Sequence, residues 1–140
     1  MDAVVKLTQG MRLMGSADTG HEVVMDAHSS VGGDDTGPRP MELILIGLCG
    51  CTAMDVISIL RKKRQEVSKL EVKAHADRAD QHPKVFTNIA LEYIVTGKDI
   101  NPKAVERSIQ LSAEVYCPAQ AMLGQVANMT TSYVIVEEEA

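Results

Sequence analysis

The stretch from Pro38 to Val67 constrains this chain most. From Leu43 to Leu60 nearly every position is apolar or small, so no solvent face can be drawn on a helical wheel, and a helix apolar all round is a buried one. Gly37-Pro38 closes the preceding loop, Pro40 suits a first helical turn, and Glu42 places negative charge near the positive end of the helix dipole. Arg61, Lys62, Lys63 and Arg64 complement the other end. About 20 apolar residues would also cross a bilayer, but Glu42, Asp55, Gly47 and Gly50 fall inside the stretch and the rest reads as soluble. The expectation is no membrane. Two glycines inside a helix cost roughly 1 kcal/mol each relative to alanine. Gly47, Gly50, Ala53 or Met54, and Ser58 recur at helical spacing, a narrow stripe where another backbone can come close. The expected neighbour is another helix, including the same helix from a second copy of the chain, and Cys51 borders the stripe.

At 140 residues the chain reads as one domain, residues 1–140, large enough to bury about 68% of its unfolded surface. With aromatics at 3% and no Trp, its core must be built from Val, Ile, Leu, Met and Ala. A net charge of −5 argues against nucleic acid as a partner. The cluster Arg61 to Arg64 reads instead as a soluble helix terminus, since no aromatic residues interleave it. Met1-Asp2-Ala3 opens no signal peptide. Three cysteines without a secretory signal imply a reducing compartment, so the expected location is cytoplasmic.

In chain order, Ala3 to Leu7, Met11 to Gly15 and His21 to Asp26 read as short strands of a meander, with turns at Gln9-Gly10 and Asp18-Thr19-Gly20. Ala27 to Gly37 has the composition of an exposed, mobile loop. Past the long helix, Leu70, Val72, Ala74 and Ala76 alternate with polar residues as in a strand with one wet face. Lys84 to Thr96 reads as its partner. Asn101-Pro102 opens a helix as N-cap and first helical residue, with Ile100 and Val105 placed for a hydrophobic staple. Cys117-Pro118 repeats that grammar for a short helix to about Ala127, and Thr130 to Val136 is the closing strand. The order is βββ-α-ββ-αα-β, an α+β fold.

Cys117 carries the stronger local argument for an unusual thiol. At a helix N-terminus, unpaired N–H groups and the dipole favour the thiolate and lower a cysteine pKa from about 8.5; the competing reading is a small apolar residue packed under the helix. Cys49 and Cys51 point about 200° apart on a helix, so they cannot share a metal or a pocket. Their spacing lacks the C-x-x-C pair of structural zinc sites, and the expectation is no metal and no cofactor. The four histidines fall in turns and wet strand positions and read as solvated.

Pro40-Met41-Glu42-Leu43, the segment Gly47-Leu48-Cys49-Gly50-Cys51 inside the long helix, and Ser112-Ala113-Glu114-Val115-Tyr116-Cys117-Pro118, together with the element order, resemble the OsmC/Ohr family of peroxide-detoxifying thiol proteins over nearly the whole chain. The resemblance implies an intertwined cytoplasmic homodimer with the long helices packed at its centre and active sites at the subunit interface. By position it makes Cys51 the peroxidatic cysteine and Cys117 the resolving one, and it leaves Cys49 without a role. The implied reaction is reduction of an organic or fatty-acid hydroperoxide through a Cys51 sulfenic acid, captured by Cys117 before further oxidation and reset by an external dithiol. The family's hydroperoxide enzymes carry Pro-Glu-Gln-Leu at the helix start, the glutamate orienting an arginine that steadies the thiolate. Here Met41 takes that position and the carboxylate moves to Glu42, about 100° around the helix, while the arginine candidates are Arg39 and Arg12. The alternative implied by that shift is a redox-sensing or small apolar-ligand-binding dimer of the same fold.

Overall fold

The computed structural model describes residues 1–139 and divides into two compact units, Met1–Ile46 and Gly47–Ala140. In the first, β1 (Ala3–Gln9), β2 (Arg12–Ala17) and β3 (Glu22–Met25) form the expected antiparallel meander in the order β1-β2-β3. Val5 faces Gly15, and Leu13 pairs with both Leu7 and Met25. Gly10 and Gly20 take the left-handed conformation that these two turns need, at φ +57° and +81°.

The loop after β3 reads as mobile from its composition, but one carboxylate organises it. Asp26, 3% exposed, accepts from the backbone N–H groups of Ala27 at 2.7 Å, Asp34 at 3.2 Å and Thr36 at 3.1 Å, and from the Thr36 hydroxyl at 2.6 Å. Gly33 makes a close approach possible, since a Cβ there would collide with the Ala27 carbonyl. The Thr36 hydroxyl bond, backed by the N–H bonds, favours the charged form and draws the Asp26 pKa down to about 2. A carboxyl depressed on folding stabilises the fold above its ordinary pKa and loses that contribution as pH falls through the folded value. Amide protection over residues 27–36, taken relative to the intrinsic exchange rate at each pH, is therefore expected to hold from neutral pH to about 4 and to fall as pH drops towards 2; Asp26→Asn should show the lower protection already at neutral pH.

Helix α1 (Pro40–Lys62) begins where the sequence marks it. The Arg39 backbone N–H donates to Glu42 Oε1 at 2.8 Å, the N3 carboxylate half of a capping box. The expectation of burial on every side does not hold within the chain. Only Leu48, Thr52, Val56 and Leu60, one stripe at four-residue spacing, are buried, whereas Ile44, Ile46 and Met54 are 44%, 59% and 73% exposed. A Cβ added at Gly47 or Gly50 would meet no atom within 4 Å. The chain alone covers one face of this helix.

In the second unit β4 (Glu66–Arg78), β5 (Phe86–Lys98) and β6 (Asn128–Glu137) form a sheet with β5 in the middle, antiparallel to β4 and parallel to β6. Ile89, Leu91, Tyr93 and Val95 of β5 are buried at alternate positions, the period of a pleated strand. A parallel neighbour requires a crossover connection, here α2 (Pro102–Leu111), one π-helical turn over Ser112–Tyr116, and α3 (Pro118–Leu123). Asn101 caps α2 as expected, its side chain accepting from Lys103 N–H at 2.9 Å, and Ile100 and Val105 are both buried. Helix α3 ends short of the expected Ala127: past Gly124 the bonds tighten to i to i−3 turns, Gln125 N–H to Met122 O at 3.2 Å and Val126 N–H to Leu123 O at 3.1 Å.

Candidate active site

Two local devices place Cys117. The π-helical turn before it closes with Cys117 N–H bonded to Ser112 O at 2.8 Å, an i to i+5 bond whose extra residue rotates the next part of the chain relative to an α-helix. Ser112 and Cys117 thereby face inward and are buried, while Val115 and Tyr116 are exposed. Pro118 then starts α3 with Cys117 as its N-cap, and Cys117 Sγ accepts from Gln120 N–H at 3.4 Å. Cys51 arrives from α1, near enough to Cys117 for its thiol to help raise the Cys117 pKa. All three cysteines are free thiols. Cys49, on the other side of α1, has its pKa raised by burial.

Of the two readings of Cys117, burial favours the thiol packed under the helix. Its pKa is pushed up to about 11, first by burial and then by the neighbouring Cys51 thiol, against the opposing Gln120 N–H bond. A six-residue helix carries a weak dipole, and at 3% exposure desolvation outweighs it. Cys117 rests as a neutral thiol.

Behind the thiols lies a polar cluster that sequence reasoning missed. Thr52 Oγ1 is 2.8 Å from the Tyr93 hydroxyl, 2.8 Å from Ser112 Oγ and 3.0 Å from Gln120 Nε2. Ser112 Oγ donates to Asp55 Oδ2 at 2.8 Å. Thr52, Tyr93 and Ser112 have no exposed surface, and Gln120 is 5% exposed; burial also raises the Tyr93 pKa. Among the described residues no buried side-chain N or O atom lacks a partner. The available signal was Thr52 and Asp55 one turn apart on an otherwise apolar helix, with Gln120 one turn after Cys117.

Arg12, Arg39 and Glu42 have their contacts within the first unit. Arg39 forms an ion pair with Asp35, and its Nη1 donates to the carbonyls of Gly37 at 3.3 Å and Asp26 at 3.5 Å. Arg12 Nε donates to Thr36 Oγ1 at 3.0 Å, which joins it to the Asp26 cluster. Glu42 caps α1.

The chain is 43% identical over 136 residues to Protein YhfA of Escherichia coli K12, covering 97% of this chain and 98% of that protein. A crystal structure of a hypothetical protein from Aquifex aeolicus matches at TM-score 0.86 and 30% identity, over 99% of this chain and 97% of that one. A Legionella pneumophila structure described as an organic hydroperoxide resistance protein OsmC matches at TM-score 0.67 over 95% and 96% of the two chains, but at 13% identity it shows the shared fold alone. The profile of the family described as OsmC-like protein matches residues 32–132. On the extent of that match, which covers more than half of the chain, this chain belongs to the OsmC-like protein family.

Proposed function

We propose that this chain is a thiol-dependent peroxidase that reduces organic or fatty-acid hydroperoxides to alcohols. The observation that carries the reading is that Cys51 and Cys117, distant in sequence, are near enough for the Cys51 thiol to shift the ionisation of Cys117. The Cys51 thiolate attacks the terminal peroxide oxygen, the O–O bond breaks, and the alkoxide leaves as alcohol after taking a proton. Cys117 then attacks the Cys51 sulfenic acid, forming a disulfide and releasing water, and an external dithiol returns both thiols. Arg39 and Arg12 are the candidate cations for steadying the attacking thiolate, and Glu42 is the candidate carboxylate. Reduced thiols suit a cytoplasmic location. The deciding experiment treats the reduced protein with one equivalent of cumene hydroperoxide and maps the product by peptide mass spectrometry. A Cys51–Cys117 disulfide with one alcohol formed supports the reading; an unoxidised protein, or a disulfide through Cys49, overturns it.

A second reading, a redox-sensing dimer without useful turnover, is favoured by the protonated resting state of Cys117, which slows resolution. Disulfide formation without repeated turnover in the presence of dithiol would select it.

The assembly in either case is a homodimer built on α1. The uncovered apolar side chains of that helix and the open space at Gly47 and Gly50 support it. Gly50→Leu is expected to convert the protein to a monomer in analytical ultracentrifugation. In a helix facing solvent the same change would raise stability by about 1 kcal/mol, so a stabilised variant with unchanged mass would exclude this packing.

A further inference from the structure

A closed ring of hydrogen bonds joins Cys117 to the helix that carries Cys51. Cys117 is gripped at two atoms: its backbone N–H donates to Ser112 O at 2.8 Å across the π-helical turn, and its Sγ accepts from the Gln120 backbone N–H at 3.4 Å. The side chains of those same two residues converge on one oxygen of α1. Ser112 Oγ lies 2.8 Å from Thr52 Oγ1, and Gln120 Nε2 donates to that oxygen at 3.0 Å. Thr52 follows Cys51 directly within α1, so the ring Cys117–Ser112–Thr52–Gln120 returns to Cys117 through the residue next to its partner thiol. Two further bonds of 2.8 Å anchor it, from the Tyr93 hydroxyl to Thr52 Oγ1 and from Ser112 Oγ to Asp55 Oδ2. Thr52 and Ser112 have no exposed surface, and Gln120 and Cys117 are 5% and 3% exposed, so solvent does not compete for these bonds.

Packing alone does not call for such a ring. An apolar side chain of the same size at position 120 would fill the space with no polar atom to satisfy, and exchanging buried hydrogen-bonded groups for apolar ones of the same shape is often nearly neutral. The π-helical turn is likewise a rare element that recurs at functional sites. What the ring supplies is a fixed position. Two groups held in their reactive geometry gain an effective concentration that a loosely held pair lacks, and a thiol–disulfide equilibrium measures that concentration directly.

We propose that Gln120 and Thr52 are positioning residues for disulfide formation: the ring they close holds Cys117 where its sulfur can join that of Cys51. Their side chains act through the placement of Cys117, not on the reacting sulfurs. The inference rests on the peroxidase reading only in taking Cys51 and Cys117 as the pair that oxidises.

The test uses no peroxide. In a Cys49→Ser background the protein is equilibrated with mixtures of glutathione and glutathione disulfide. The two protein thiols give up two electrons and two protons, the glutathione S–S bond breaks to two thiols, and the Cys51–Cys117 bond closes. Alkylation and mass spectrometry give the ratio of disulfide to dithiol protein, and from it the effective concentration of the pair. Gln120→Met keeps the volume and leaves Thr52 Oγ1 its two hydroxyl partners, so it provides the folded variant. It is expected to lower the effective concentration about tenfold, which makes the reduction potential about 30 mV less negative. Thr52→Val should lower it at least as far, and Thr52→Ser, which keeps the oxygen, should restore most of the loss. A ring with a structural role alone would destabilise the dithiol and disulfide proteins equally. A lower urea midpoint at parental effective concentration in Gln120→Met would therefore overturn the proposal. A raised effective concentration would overturn it as well, since the ring would then be holding Cys117 away from Cys51. A parent that forms no Cys51–Cys117 disulfide at any glutathione ratio would remove this proposal and the peroxidase reading together. The expected shift in a protein that does not consume hydroperoxide would leave the positioning role standing and remove the peroxidase reading.

Discussion

Cys51→Ser is expected to abolish hydroperoxide consumption, leaving no more than the background of free dithiol in a peroxide-depletion assay. A serine hydroxyl cannot reach the ionised, polarisable state that attack on a peroxide oxygen requires, and no other cysteine can replace it. Cys49 lies about 200° away around α1, and Cys117 rests protonated with its pKa at about 11. Cys117→Ser should differ in kind. Cys51 would still turn over once, giving one equivalent of alcohol and a sulfenic acid trapped by dimedone, which further peroxide would drive to the sulfinic acid. Parental steady-state rates from both variants would leave neither thiol a part in the chemistry.

Thr52→Val is expected to destabilise the fold by about 3 kcal/mol, although the two side chains are nearly the same shape. Thr52 Oγ1 is hydrogen-bonded to the Tyr93 and Ser112 hydroxyls and accepts from Gln120 Nε2, at a position with no exposed surface. Valine leaves all three partners without their bond, and each buried group so left costs about 1–3 kcal/mol. Gln120 Nε2 lies 3.5 Å from Ser112 Oγ and can recover part of the loss by shifting, which sets the expected value well below the full sum. Against a total stability of about 5–15 kcal/mol this is a large fraction. Urea denaturation reads it as a lower midpoint at unchanged slope. Thr52→Ser keeps the oxygen and should cost less than half as much; equal losses in the two variants would assign the effect to the methyl group instead.

The parts of the fold that sequence reasoning reached were those decided within one turn of the chain. Pro40 and Glu42 mark the start of α1, Asn101 and Pro102 that of α2, and Cys117 and Pro118 that of α3, because caps and proline act on neighbouring N–H groups. Alternation placed the wet and dry faces of β4. Of the candidate site residues, Cys51 and Cys117 were singled out by the resemblance their flanking segments carry. The roles of Arg39, Arg12 and Glu42 were less so, since a charge near a helix start reads the same whether it caps the helix, pairs with Asp35, or serves chemistry.

By itself, then, the sequence determined the element order, the starts of the helices and the two cysteine contexts, all of them consequences of local hydrogen-bond supply and of side-chain periodicity. Tertiary structure alone decided three things: that β6 lies parallel to β5, that Cys117 is a neutral thiol despite its place at a helix start, and that Thr52, Tyr93, Ser112, Gln120 and Asp55 meet. Each depends on which distant groups share one dry space, where desolvation outweighs a short helix's dipole and every hydroxyl must find a partner.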